Sequence, residues 1–329
     1  MGSKPIKVEK KIQYFKNYQL KSSLNFHISS VSCIIILQDL RFASSSTDNT
    51  IKIFNRETYE IDINITEHKD YVIYITQIKD GRLVSSSSDN TISIIKLFKK
   101  KYIIEQILTN HTNPVKKTIE LNNGFLLSCS WDKTIKSWNK TNDNMYNLNQ
   151  ELIENNEVDS IFQINNKEIL SISYLDEKIS FYELKKNKFV FLSCIEKNIF
   201  SGFTNNYAKI NEKYFLIGGE LTIYFININT HQIQFNYKFE ENIDENTFFQ
   251  TLFIAKDNTL YVGYETDILQ FKISDKGDNL ELIDYKTNIH EENNEGWRVI
   301  SCIIEDNNNG DLITTSYDGT IKIWENHNK

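Results

Sequence analysis

Short runs of alternating apolar and polar residues recur along the chain with turn residues between them, and the sharpest run lies from Ser128 to Trp138. It reads Ser-Cys-Ser-Trp-Asp-Lys-Thr-Ile-Lys-Ser-Trp. A strand of small residues turns at Asp132-Lys133 and continues through Trp138 with the period-2 alternation of a half-buried strand, so the segment predicts a β-hairpin. Aligned on the turn aspartate, copies appear at Asp48, Asp89 and Asp318, each followed within two residues by Thr-Ile. Weaker copies stand at Asp176, Glu220 and Asp267. The marks at 48, 89, 132, 176, 220, 267 and 318 are 41, 43, 44, 44, 47 and 51 residues apart. That period, with a tryptophan-bearing hairpin, predicts propeller blades of four strands each.

On these residues the sequence resembles the WD-repeat β-propeller family over essentially its whole length, with the motif complete in blade three and degenerate in blades five and six. The resemblance implies an all-β fold, a seven-bladed β-propeller of four-stranded antiparallel blades. Inner strands are expected at Val31 to Ile36, Val72 to Gln77, Val115 to Glu120, Val158 to Gln163, Phe249 to Ile254 and Val299 to Ile304, with blade five near Phe203 to Ile210. Their β-branched content suits burial around a central channel.

Tyr18 to Leu24 aligns with Tyr59 to Ile65, an outermost strand, yet no blade precedes it. After Trp324 only Glu-Asn-His-Asn-Lys remains, so blade seven lacks its fourth strand. The two deficits match: the N-terminal strand is expected to complete the last blade and close the ring, leaving no open seam. Residues 1–16 then form a tail or accessory strand, and 17–329 the propeller.

A net charge of −7 argues against a nucleic-acid partner, which a basic stripe would mark. Only Arg41, Arg56, Arg82 and Arg298 could clamp phosphate. The four cysteines, Cys33, Cys129, Cys194 and Cys302, have no metal or redox spacing and are expected as small core residues in a reducing compartment, the cytoplasm with the nucleus left open. No apolar run is long enough for a membrane span, so direct membrane insertion is not expected. Cofactor motifs are absent, and His290-Glu291-Glu292 is expected as a solvated acidic loop, so no cofactor and no metal is assigned.

Three blades carry histidine, serine and aspartate at one spacing: His27, Ser44, Asp48; His68, Ser85, Asp89; His111, Ser128, Asp132. Singly, each triplet has the residue types of a nucleophile, base and orienter. A hydrolase needs one such set beside one pocket, whereas repetition by blade is what packing demands. The family resemblance implies a buried hydrogen-bond relay ending on Trp138 in blade three. Blade seven keeps Thr314, Asp318 and Trp324, with His290 as candidate fourth member.

In the family, the rim formed by the loops before the inner strands and by the turn aspartates commonly engages peptides. Mapped onto this chain, that rim collects Tyr71, Lys116, Trp131, Arg298 and Tyr317, with Glu157 and Asp159 as an acidic sector. Aromatics and arginine carry binding energy at interfaces. Trp131 has two readings that stay open, a partner anchor or a cover for the neighbouring hairpin. The expected function is a non-enzymatic protein-protein interaction scaffold or adaptor, a subunit of a larger assembly that binds proteins or peptides on the channel-mouth face. The alternative is an enzyme whose pocket at the channel mouth would use Glu157, Asp159 and Lys116 as acid and base groups.

Overall fold

β-branched inner strands, small-residue second strands and polar outer strands assemble into seven sheets in a computed structural model that describes residues 6–7, 18–196, 206–219, 222–240, 249–291 and 299–327. Two compact units divide the chain, His27–Lys197 and Met1–Phe26 with Asn198–Lys329. The first unit holds blades one to four. Blade one is Val31–Ile36, Phe42–Ser46, Ile51–Phe54 and Ile61–Ile65; blade two is Val72–Gln77, Leu83–Ser87, Ile92–Leu97 and Tyr102–Leu108. Blade three is Val115–Glu120, Leu126–Ser130, Thr134–Lys140 and Tyr146–Ile153; blade four is Ser160–Gln163, Glu168–Ser173, Lys178–Lys185 and Lys188–Glu196. The second unit holds blade five (Tyr207–Lys209, Tyr214–Gly218, Thr222–Asn227, Gln232–Glu240) and blade six (Phe249–Ile254, Thr259–Tyr264, Asp267–Ile273, Leu280–Lys286). Its blade seven consists of Ile300–Glu305, Leu312–Ser316 and Ile321–Asn326, completed by Tyr18–Leu24, which pairs antiparallel with Ile321–Asn326. The fold is thus the expected seven-bladed all-β propeller, with the N-terminal strand as the outer strand of the last blade. Ile6–Lys7 adds a short parallel strand to Gln232–Glu240 of blade five, an accessory strand.

Small side chains explain the second strands. Phe42–Ser46, Leu83–Ser87, Leu126–Ser130 and Leu312–Ser316 are buried at every position, because each lies in the middle of a sheet covered on both faces. Larger side chains fill the spaces between successive blades: Val84, Ile92, Leu108 and Val115 pack around Trp138 between blades two and three. Burying one such side chain contributes roughly 1.5–3 kcal/mol.

Three placements differ from expectation. The blade-seven inner strand starts at Ile300, not Val299, since Ile300 pairs with Ser316 as Val31 pairs with Ser46. Blade four's inner strand starts at Ser160, after buried Val158 and Asp159. Cys194 is exposed on an outer strand, not in the core, whereas Cys33, Cys129 and Cys302 are buried; none of the four forms a disulfide. In blade five the inner strand is Tyr207–Lys209, while Phe203 and the mark at Glu220 lie outside the described residues.

After each turn aspartate the next residue takes a left-handed backbone: Asn49 (φ 68°), Asn90 (φ 71°), Lys133 (φ 68°) and Gly319 (φ 83°). Asparagine and glycine adopt that region readily; a lysine there costs a share of the roughly 1–2 kcal/mol left-handed penalty. Lys133→Asn is therefore expected to stabilise the protein by about 0.5–1 kcal/mol in urea denaturation; a loss of stability would show that the Lys133 ammonium bond to the Asn155 carbonyl, 3.2 Å, outweighs the backbone cost.

Candidate functional site

The rim at the turn-aspartate end of the blades is fixed by one polar arrangement. His111 Nδ1 lies 2.7 Å from Asp132 Oδ2 and its Nε2 lies 2.8 Å from Ser128 Oγ, which also accepts from Trp138 Nε1 at 2.9 Å. Blades one and two repeat it through His27, Ser44, Asp48 and His68, Ser85, Asp89, with 2.8 Å at every histidine contact. The tryptophan position there holds Phe54 and Ile95, both buried, so the indole donor is absent. Blade seven joins His290 to Asp318 (2.9 Å) and Thr314 (2.8 Å), and Trp324 Nε1 donates to Thr314 Oγ1 at 3.0 Å.

Sequence reasoning missed two parts of this arrangement. Thr50, Thr91, Thr134 and Thr320, each two residues after its aspartate, donate their hydroxyls to the second carboxylate oxygen at 2.6, 2.6, 2.6 and 2.7 Å. The backbone N–H after each histidine, from Ile28, Lys69, Thr112 and Glu291, also donates to the aspartate. Blade four, which has no histidine, puts Glu154 in the corresponding place. Buried Glu154 accepts from Ser171 at 2.9 Å, from Ser180 at 3.4 Å and from the Tyr182 hydroxyl, and it pairs with Lys178 at 3.4 Å. Glu154 precedes Ser171 by 17 residues, the separation of His111 from Ser128, and that spacing was the signal available in the sequence.

The charges follow from these contacts. Burial disfavours ionised Asp132, yet hydrogen bonds from His111 and Thr134 overcome it and hold the carboxyl well below the usual range. Asp48 and Asp89 are lowered the same way, and Asp318 falls to about 2. Burial pushes the His111 and His290 imidazoles down, against the pull of their aspartates, so both stay neutral. A neutral imidazole donates from Nδ1 to the carboxylate, and its Nε2 accepts from the hydroxyl.

On this frame, backbone bonds carry each inner-strand loop to the turn. The N–H groups of Thr47, Ser88 and Trp131 donate to the carbonyls of Ser30, Tyr71 and Pro114 at 2.9, 2.9 and 3.1 Å. In blade seven Tyr317 donates to Val299 at 3.0 Å. The structural counterpart of Ser30, Tyr71 and Pro114 in that blade is therefore Val299, one residue after Arg298. Arg298 lies outside the described residues, Ile300 is buried, and Tyr317 is half-buried.

Within blades one to four the sequence-predicted residues meet in part. The inner strand of blade three bulges at Lys116, the register passing from Val115 straight to Lys117. A bulge re-aims its side chain, and here the Lys116 ammonium sits 4.3 Å from the centre of the Trp131 ring. Trp131 Nε1 donates to Asp159 Oδ1 at 3.0 Å, while Asp159 Oδ2 accepts the Tyr174 N–H at 2.8 Å. Trp131 thus bridges blade three to blade four, with one ring edge tied down and the residue left half-buried. Burial lowers the Lys116 ammonium and raises the Asp159 carboxyl. No carboxylate among the described residues lies at ion-pair distance from Lys116. Half-buried Glu157 and exposed Tyr71 complete the predicted set in this unit. Exposed Tyr174 and Leu175 adjoin it and were not singled out as binders in the sequence. Lys117, fully buried, places its ammonium 4.1 Å from the Phe162 ring and 4.9 Å from the Tyr74 ring.

The chain matches the family described as WD domain, G-beta repeat, at residues 18–55, 104–139 and 288–325. The three matched segments start at, within and just after the outer strand of one blade and end on the third strand of the next or one residue past it, so a sequence repeat is offset from a structural blade. A comparison with curated protein sequences finds no match. Among solved structures, the chain is similar to the crystal structure of the WD40 beta propeller domain of Doa1, at 18% identity and a TM-score of 0.74, over 94% of this chain and 98% of that one. No helix among the described residues is long and apolar enough to cross a membrane.

Glu154→Ala is expected to cost about 3–5 kcal/mol, because Lys178 and three hydroxyls lose their common acceptor. Tyr182→Phe removes one donor and is expected to cost about 1 kcal/mol. Equal effects in urea denaturation would contradict Glu154 as the hub. His111 and His290 bind protons less readily folded than unfolded, so their contribution is complete above the unfolded value of about 6.5 and falls as the pH drops below it. The lowered aspartates hold theirs to about pH 4 and lose it as the pH falls towards their folded values. The melting temperature is expected to be level above pH 7, to decline below 6.5 and to drop steeply below 4 in differential scanning; a flat profile from pH 7 to 5 would contradict the neutral imidazoles.

Proposed function

We propose that this WD-repeat propeller is a non-enzymatic protein-protein interaction scaffold, an adaptor subunit that holds a partner peptide against the turn-aspartate rim of blades two to four. Propellers of this kind generally bind other proteins. The observation that carries the reading is the Lys116, Trp131, Asp159 arrangement. A rigidly held indole lies beside a half-buried ammonium that meets no carboxylate at ion-pair distance among the described residues, and a partly desolvated cation of this sort favours an incoming anion. The matching partner is a peptide with an acidic side chain for Lys116 and an apolar side chain beside it for Tyr71 and Trp131. Glu157, at the edge of the same patch, discriminates against a second acidic residue on that side. Tyr317 occupies the equivalent turn position in blade seven and is a candidate contact in its own unit. Residence in the cytoplasm or nucleus accords with four cysteines that form no disulfide.

The test compares wild-type protein with a Tyr71→Ala, Lys116→Ala, Trp131→Ala variant and with a Glu57→Ala control, in the turn at the opposite end of the blade-one strands, by affinity capture and mass spectrometry. Partners are expected to survive the control and to be lost from the triple variant while its unfolding stays cooperative. A surviving partner should be weakened by Lys116→Ala more at low than at high salt, since the contact is ionic. Retention of the same partners by a folded triple variant would overturn the reading.

A further inference from the structure

The turn between the two middle strands has one length in the four histidine-bearing blades. Ser45, Ser86, Cys129 and Thr315 each pair with the residue six places on, whereas their blade-four counterpart, Ile172, pairs with Ile179, seven places on. The blade-four turn, Tyr174 to Glu177, therefore carries one extra residue. In the histidine-bearing blades a serine staples the turn: Ser46, Ser87, Ser130 and Ser316 accept the N–H of the turn aspartate at 3.0, 3.1, 3.0 and 3.2 Å. Ser173 is their counterpart. With the extra residue in between, its buried hydroxyl has no hydrogen-bond partner among the described residues. Asp176 Oδ2 is likewise buried and unbonded, because Glu154, in the place of the histidine, uses both its oxygens as acceptors. Buried polar atoms without partners are few in folded proteins, and two of them in one turn mark a place where local packing rules give way.

This turn also presents more than its counterparts do. Tyr174 is 41% and Leu175 58% exposed, with exposed Glu177 next to them and half-buried Glu157 in the loop before the inner strand of the same blade. Directly before the turn aspartate, where blade four has Leu175, blades one and two have Thr47 and Ser88. Asp159 fixes the turn against blade three, since one of its oxygens accepts the Trp131 Nε1–H and the other the Tyr174 N–H. Contacts thus run in order from Lys116 to Trp131, Asp159 and Tyr174. The cation stands at one end of this series, and Asp176 and Glu177 follow Tyr174 at the other.

We infer that the lengthened blade-four turn is a second subsite of the rim, which takes a lysine or arginine of the partner while a neighbouring apolar side chain of the partner lies on Tyr174 and Leu175. This subsite presupposes the peptide-binding rim proposed above and completes the chemistry of its partner: an acid for Lys116, an apolar anchor, then a base. Charge complementarity selects that order. Glu177 supplies an exposed carboxylate, and half-buried Asp176, with one oxygen unbonded, adds a second negative charge. Neither is in an ion pair among the described residues, since the neighbouring Lys178 pairs with Glu154 instead. A carboxylate only accepts, and an ammonium or guanidinium is the donor it binds most strongly. A segment of opposite order would bring its acid to Asp176 and Glu177 and its base to Lys116, so the two ends together reject it.

The test selects a phage-displayed library of random linear peptides on the full chain, then measures a fluorescein-labelled synthetic copy of the most enriched peptide by fluorescence anisotropy. Wild-type protein is expected to enrich peptides with an acidic and a basic residue on either side of an apolar one. Leu175→Ser and Glu177→Lys are each expected to weaken the labelled peptide about tenfold. Glu57→Lys, the same charge change at the opposite end of the blade-one strands, is expected to leave it unchanged, and all these variants to melt as the wild type does. Selection repeated on Glu177→Lys is expected to put an acid in place of the base. A peptide weakened by Lys116→Ala but indifferent to Leu175→Ser or to Glu177→Lys overturns the subsite and leaves the rim reading in place. A peptide indifferent to Lys116→Ala and Trp131→Ala, or a library from which nothing is enriched, overturns both.

Discussion

A buried carboxylate at the hairpin turn is the constraint on which the blades depend. Each of Asp48, Asp89, Asp132 and Asp318 sits at a point where water is largely excluded, and there an ionised group is tolerable only when every lone pair is met. Histidine, a threonine hydroxyl and two backbone N–H groups meet them. Hydrogen bonds to a charged group are worth roughly 1.5–3 kcal/mol each, so the carboxylate becomes a clasp between the loop entering a blade and the turn between its middle strands. The consequence is a rigid rim. Loops that bind gain from being fixed beforehand, because less ordering remains to be done when a partner arrives.

Blade four meets the same constraint with different chemistry. A glutamate replaces the imidazole, a tyrosine hydroxyl takes the place of the indole N–H, and Lys178 stands two residues after Asp176 where blades one, two, three and seven have threonine. A carboxylate in place of a neutral imidazole adds a negative charge at the centre of the network, and Lys178 offsets it. The same blade shelters Asp159, which ties Trp131 across from blade three. The blade that replaces the histidine of the repeat by glutamate thus also anchors the aromatic of the proposed binding patch through Asp159.

Strand number, blade order and the split last blade were legible because period-2 alternation and a hairpin turn recur at a near-constant interval, and Tyr18 to Leu24 had nowhere else to pair. What escaped notice has physical reasons. Blade seven slipped by one residue because two adjacent apolar residues, Val299 and Ile300, compete for the first inner position; only the bulge geometry decides. Cys194 looked like a core residue because a strand of apolar residues normally has a covered face, whereas an outer strand at the rim is open on both. Glu154 was hidden by its charge: an acid where the repeat has histidine reads as surface until the distance to Ser171 is measured. Lys116 and Lys117 are adjacent in sequence, and only the bulge separates their fates, one ammonium aimed at Trp131 and the other enclosed by Phe162 and Tyr74.

The clasp itself is open to direct observation through the imidazole nitrogens. A carboxylate only accepts, so a working relay requires the proton on Nδ1 and a bare Nε2 facing the hydroxyl. Nitrogen-15 NMR of the ring nitrogens of His111 and His290, followed from pH 8 to pH 5, reads that assignment directly. The account predicts neutral rings with Nδ1 protonated at both residues, still neutral when an unperturbed histidine has taken up its second proton. Rings protonated on Nε2, or rings that titrate as free imidazole does, would contradict it.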